Sequence, residues 1–183
     1  MLCIYLDAFR MVGTDLVATV LRVAVLHIAT NPSALETLLQ EIKAHGLLKK
    51  VSTEDIVPYS VAKTLPYVQA CIKETLRIHP PFCGLLEKVV PKGGDVLPNG
   101  QFVPEGTHIG FSFWGAMRDK TVFGEDADLF RPERWLEGNG KSQSEMSLME
   151  KTLECAFSPG RYTCLGKDVA IMLLNKSIVE VRI

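Results

Sequence analysis

The residues best equipped for chemistry stand near the end of the chain, in the run Phe157-Ser158-Pro159-Gly160-Arg161-Tyr162-Thr163-Cys164-Leu165-Gly166. A thiol ligates metal or attacks an electrophile as the thiolate. A loop-to-helix junction favours that form, because the first amide N–H groups of the helix are unpaired and its dipole is positive there. Gly160 and Gly166 allow sharp turns and let the backbone come close to a flat ligand. Hydrogen bonds from the amides would hold the sulfur ionised and tune its electron donation. Arg161 adds a positive charge near the thiolate or near a carboxylate of the ligand. An isolated cysteine is more commonly a buried core residue, but the spacing here is unusual. A Phe, a Gly three later, a Cys four beyond and a Gly two further would coincide by chance in roughly one chain in 10³ of this length.

Three other groups can be read for chemistry. Glu74 and Arg77 lie at i and i+3 of a helical segment, so their side chains share a face and can pair. Taken alone such a pair reads most simply as a surface salt bridge. Phe130-Arg131-Pro132-Glu133-Arg134-Trp135 taken alone is a charged turn. Val12-Gly13-Thr14-Asp15-Leu16-Val17 sets a glycine and an acid in a helix. The glycine opens space beside the helix, and an acid with a nearby alcohol can relay protons.

These segments, in this order, resemble the cytochrome P-450 family of haem-thiolate monooxygenases, with a likeness to fungal members. The resemblance implies that Cys164 is the metal ligand, supplying the axial thiolate of a haem b, and that Phe157, Gly160, Arg161, Gly166 and Lys88 complete the cofactor site. It implies a structural charge cluster of Glu74, Arg77 and Arg134. It also implies an oxygen groove in which Gly13 makes room and Asp15 delivers protons. The sequence departs from the family at three places. The alcohol position of the groove holds Val17, and Leu16 precedes it. Thr19, four residues after Asp15 and on its face, is the substitute at hand, and a missing relay group costs about 10²–10⁴-fold. Tyr162 stands where an arginine usually binds a propionate, with Arg161 one residue earlier; its hydroxyl gives one hydrogen bond and no charge. Lys88 stands at another propionate arginine, supplying charge without the bidentate fork. The implied activity is insertion of one oxygen atom of O2 into a small, lipophilic organic substrate, with electrons from an NADPH-dependent reductase. The alternative is a truncated, catalytically inactive haem-binding fragment. A full-length eukaryotic parent would reside in the endoplasmic reticulum membrane.

The positioning elements can be read from punctuation and period. Apolar residues recur at helical spacing from about Leu2 to Ala29, and Asn31-Pro32 marks the stop. Asn31 or Ser33 caps a second helix, Ser33 to Glu36 having the form of a capping box, and Gly46 closes it. A short helix is expected from Ser52-Thr53-Glu54-Asp55, and another from Pro66 to Ile78. Gly93-Gly94, Pro98-Asn99-Gly100 and Pro104-Glu105-Gly106 punctuate two or three short strands. From Arg118 to Glu154 the chain is polar and irregular, with a mobile loop expected over Glu137 to Glu145. A last helix runs from about Gly166 to Arg182. The fold class is therefore mainly α with a small β-sheet region, a single partial domain over 1–183 in which the N-terminal half of the family fold is expected to be absent.

Composition narrows the rest. The 183 residues are 47% hydrophobic and 22% charged, with a formal net charge of −1. That balance is globular, and the lack of a basic cluster argues against nucleic acid as a partner. Five cysteines without a CxxC pair argue against a disulfide framework or structural zinc. Cys71 reads as a core residue. No secretory leader is recognisable at the start. Leu16 to Ala29 is interrupted by Arg22 and His27 and reads as a buried core helix, since a membrane span needs about 20 mostly apolar residues.

Overall fold

A computed structural model of the chain describes residues 2–47, 56–158 and 160–181. The helix expected from Ser52 lies outside the described residues, as do Pro159 and Arg182. Eight helices, α1 (Leu2–Ala29), α2 (Pro32–Ala44), α3 (Tyr59–Ala62), α4 (Pro66–Ile78), α5 (Phe113–Ala116), α6 (Lys120–Phe123), α7 (Gln143–Glu154) and α8 (Lys167–Glu180), dominate the described residues. Four two-residue strands, β1 (Lys88–Val89), β2 (Asp95–Val96), β3 (Phe102–Val103) and β4 (His108–Ile109), form two antiparallel pairs, β2–β3 nested inside β1–β4. The mainly helical class with a small β region is what the sequence led us to expect.

Helix α4 is the centre. Pro66 occupies its first turn, where a missing N–H costs nothing. Its next amides are met from α2: the Glu41 carboxylate accepts from Tyr67 N at 2.8 Å and Val68 N at 3.0 Å, a negative charge on the positive helix end. Ten of its residues are buried, against α1, α2, α7, α8 and the 3-10 turn Pro132–Trp135. Cys71 lies at 0% exposure in this core, as expected, and burial followed by the nearby Glu133, Glu41 and Glu74 carboxylates pushes its thiol well up.

Helix α2 is capped by Asn31, whose Oδ1 accepts from Ala34 N, while Ser33 Oγ bonds that same oxygen. The cap is thus Asn31, and Ser33 buttresses it. Gly46, at φ +69, ends the helix with bonds from Gly46 N to Lys43 O and from Leu47 N to Ile42 O.

Two expectations are corrected. Residues 143–145 belong to α7, not to a mobile loop: Ser142 and Glu145 exchange side-chain and backbone hydrogen bonds in a capping box, and Met149 and Leu153 bury one face. Likewise α1 is not a buried core helix. Val20, Ala24 and Ile28, at spacing four, are buried against α2, α4 and α8, whereas only 17% of the window Val12–Ala29 is buried. That window, with mean hydropathy 1.6, is long and apolar enough to cross a membrane by length and composition. Its apolar residues surround the helix, and neighbours cover one side.

Candidate functional site

The cysteine loop is built by backbone bonds. Helix α7 runs into a 3-10 turn at Cys155–Phe157, and Ser158 then takes φ 57, ψ 111, a left-handed conformation that only glycine adopts without strain. Gly160, at φ +71, opens a second turn through Tyr162. Cys164 N donates back to Phe157 O at 2.8 Å and Thr163 Oγ1 donates to Gly160 O at 2.7 Å, closing a compact loop. The Cys164 side chain emerges free and exposed, directly before α8. Gly166 is the N-cap of α8 and offers no side-chain acceptor, and Lys167 N donates to Cys164 O at 3.3 Å. A Cβ at Gly166 would sit 3.8 Å from Cys164 Sγ. Leu165, 94% exposed, covers nothing.

Two cations from opposite parts of the chain meet beside this loop. Lys88 Nζ, from β1, lies 4.7 Å from the Tyr162 ring centroid, and the Arg161 guanidinium lies 5.9 Å from the same ring. Lys167 spans Phe157, 5.7 Å from its ring, and Glu154 at 3.5 Å. Of the residues implied for cofactor binding, Phe157, Gly160, Arg161, Cys164 and Gly166 share the loop, and Lys88 reaches it from 74 positions before Tyr162.

The charge cluster sits at complete burial. Glu74, Arg77 and Arg134 are each 0% exposed. Glu74 accepts from Arg77 Nε and Nη2 (2.9 and 2.8 Å), Arg134 Nε (3.0 Å), Arg131 N (2.8 Å) and Trp135 Nε1 (2.8 Å). The remaining guanidinium donors go to carbonyls and, from Arg134 Nη1, to Asp126 Oδ1 at 3.2 Å. Arg77 bonds Met117 O, Ala127 O and Leu129 O, and Arg134 bonds Phe123 O, Asp126 O and Leu129 O. Two rigid forks thereby fix an irregular segment that has little ladder of its own. Burial tends to raise the Asp126 pKa, but the Arg134 charge and hydrogen bond, with Arg131, outweigh it and hold the carboxyl below its ordinary value. The surface salt bridge that the pair alone suggested is therefore replaced by a buried network. Sequence reading missed Trp135 and Arg131 N as partners of Glu74, and missed Glu41.

Gly13 and Asp15 are exposed on α1, and Thr19 is half-buried. A Cβ on Gly13 would meet nothing within 4 Å. Among the described residues no hydrogen bond joins Asp15 or Thr19 to the cysteine loop.

The loop suits a haem. An exposed sulfur at a helix N-terminus offers one strong ligand, and no cluster of three or more His, Cys, Asp and Glu side chains among the described residues could hold a metal ion. For the haem that the resemblance implies, Cys164 would be the ligand and Lys88 and Arg161 the cations for its carboxylates. A family model described as Cytochrome P450 matches residues 4–181, and the chain belongs to that family. It is 38% identical over 169 residues to pisatin demethylase of Fusarium vanettenii, covering 92% of this chain and 30% of that protein. It is 40% identical over 169 residues to cytochrome P450 monooxygenase aba1 of Botryotinia fuckeliana (92% and 32%) and 40% over 167 residues to cytochrome P450 monooxygenase pkfB of Emericella nidulans (91% and 31%). The chain spans about a third of the length of these curated relatives.

Proposed function

We propose that these residues form the thiolate side of a haem monooxygenase that inserts one oxygen atom of O2 into a small, lipophilic organic substrate, fed with electrons by an NADPH-dependent reductase. The observation that carries the reading is the free, exposed Cys164 at the uncapped start of α8, in a loop closed on Phe157 O and flanked by Lys88 and Arg161. In this reading Cys164 ligates the iron of haem b. Gly160 and Gly166 would let the backbone approach the ring closely, and Phe157 would line it. Lys88 and Arg161 neutralise the propionates, which takes a carboxylate's charge out of an apolar setting. When bound, the haem supplies the dioxygen-splitting chemistry, to which a thiolate ligand gives electron push. Asp15 is the proton donor on α1, and Gly13 keeps space beside it open. Thr19, one turn further along, stands in for the alcohol that Leu16 and Val17 lack. The Glu74–Arg77–Arg134 network takes no part in chemistry and fixes the segment beneath the loop.

The supporting experiment uses the full-length parent loaded with haem, given NADPH, a diflavin reductase and 18O2 over a panel of lipophilic substrates. One labelled oxygen per product supports the reading. Asp15→Asn should lower turnover about 10²–10⁴-fold while leaving haem content unchanged. A second reading, a haem-binding chain without oxygen insertion, draws on Leu16 and Val17 in the relay positions. Stable haem loading with no labelled product from any substrate would favour it.

A further inference from the structure

The Tyr162 ring is the contact that joins Lys88 to the cysteine loop, and Arg161 of the same loop lies near that ring. Lys88 Nζ sits 4.7 Å from its centroid and the Arg161 guanidinium 5.9 Å, both within the reach of a cation–π attraction. Lys88 is an exposed residue of a two-residue strand, and among the described residues no salt bridge to its ammonium is found. A lysine stem has four rotatable bonds and loses much rotamer freedom when fixed. The Tyr162 face is the contact its ammonium makes here. Tyr162 itself is 61% exposed, so its ring supports no core packing.

We infer that Tyr162 is a positioning residue: its ring face aims the Lys88 ammonium, beside Arg161, at a carboxylate of the ligand bound over Cys164. Tyrosine then replaces an arginine's direct charge with indirect control of a neighbouring charge. The hydroxyl is incidental and the ring is essential. This inference rests on the haem reading above, and its test separates the two.

The experiment titrates haemin into the full-length apoprotein, following the Soret band, and measures the rate of haemin loss to an excess of apomyoglobin. The variants are Tyr162→Phe, Tyr162→Ala, Lys88→Met and the Tyr162→Ala/Lys88→Met double variant. Tyr162→Phe should match the parent within twofold, because a phenyl face also attracts cations. Tyr162→Ala should lose haemin about two- to tenfold faster, the range set by exposed and partly desolvated cation–π pairs. In the Lys88→Met background the Tyr162→Ala change should have no further effect, since the ring acts through that lysine. A loop merely loosened by Tyr162→Ala would show its full penalty in both backgrounds, and that additivity overturns the inference. So does a Tyr162→Phe loss equal to that of Tyr162→Ala, which would make the hydroxyl a direct ligand. If the parent itself shows no Cys164-dependent haem spectrum, the haem reading fails first.

Discussion

At the scale of single residues, the cysteine loop is held by backbone bonds and the charge cluster by two guanidinium forks on Glu74. The Phe, Gly, Cys, Gly spacing is a statement about one loop, and the structure closes that loop by a Cys164 N to Phe157 O bond. Glu74 and Arg77 were legible as partners because i and i+3 share a helical face, yet their burial was not, since burial is decided by the segment 117–135 folded over them. The same holds for Lys88 and Tyr162, which no local pattern connects; the resemblance alone brought Lys88 toward the ligand. The network makes a firm prediction. Glu74→Ala or Arg77→Ala leaves a buried charge unpaired and should destabilise the full-length parent by about 3–5 kcal/mol. Urea unfolding with an unchanged m-value would measure it, and a loss below about 1 kcal/mol would show that the cluster is not a stability anchor.

At the scale of elements, punctuation was reliable where a side chain or glycine bounds a helix, as at the starts at Asn31 and Pro66 and the end at Gly46. Helix α7 was misread because its composition is polar, although Ser142 with Glu145, followed by Met146, Met149 and Leu153, carried both a capping box and an apolar stripe. Its start therefore offers a clean test. Ser142→Ala removes the acceptor for Glu145 N and should cost about 1 kcal/mol, read as a lower melting temperature with haem affinity unchanged. An unchanged melting temperature would mean that packing of Met149 and Leu153 sets the helix start. For α1 the failure was physical. Apolar residues on every face say that a helix avoids water, but they do not say which neighbours cover it; here one side meets α2, α4 and α8.

At the scale of the whole molecule, stability should fall with acid through two kinds of group. His27 is partly buried and stacked on Phe130 with ring centroids 4.8 Å apart, and burial lowers its pKa, with His79 adding to this and Glu74 opposing it. Folding thus favours its neutral form. Its contribution is full above the ordinary value of 6.5 and is lost as pH falls from there through the lowered pKa. Asp126 acts lower down: its contribution is full above the ordinary carboxyl value of 3.8 and is lost as pH falls below that value through the depressed pKa. A melting-temperature profile from pH 8 to 3 should therefore drop in two steps, and His27→Gln should flatten the first alone. A profile flat down to pH 4 would contradict the burial assigned to His27.

Cys164 as the thiolate ligand of a haem is the assignment on which the proposed chemistry depends. The measurement is the carbon monoxide difference spectrum of the reduced, haem-loaded full-length protein beside Cys164→Ala. A far red-shifted Soret band present with Cys164 and absent from a soluble, haem-loaded Cys164→Ala variant is the result expected. The same band in both proteins would show that another residue binds the iron.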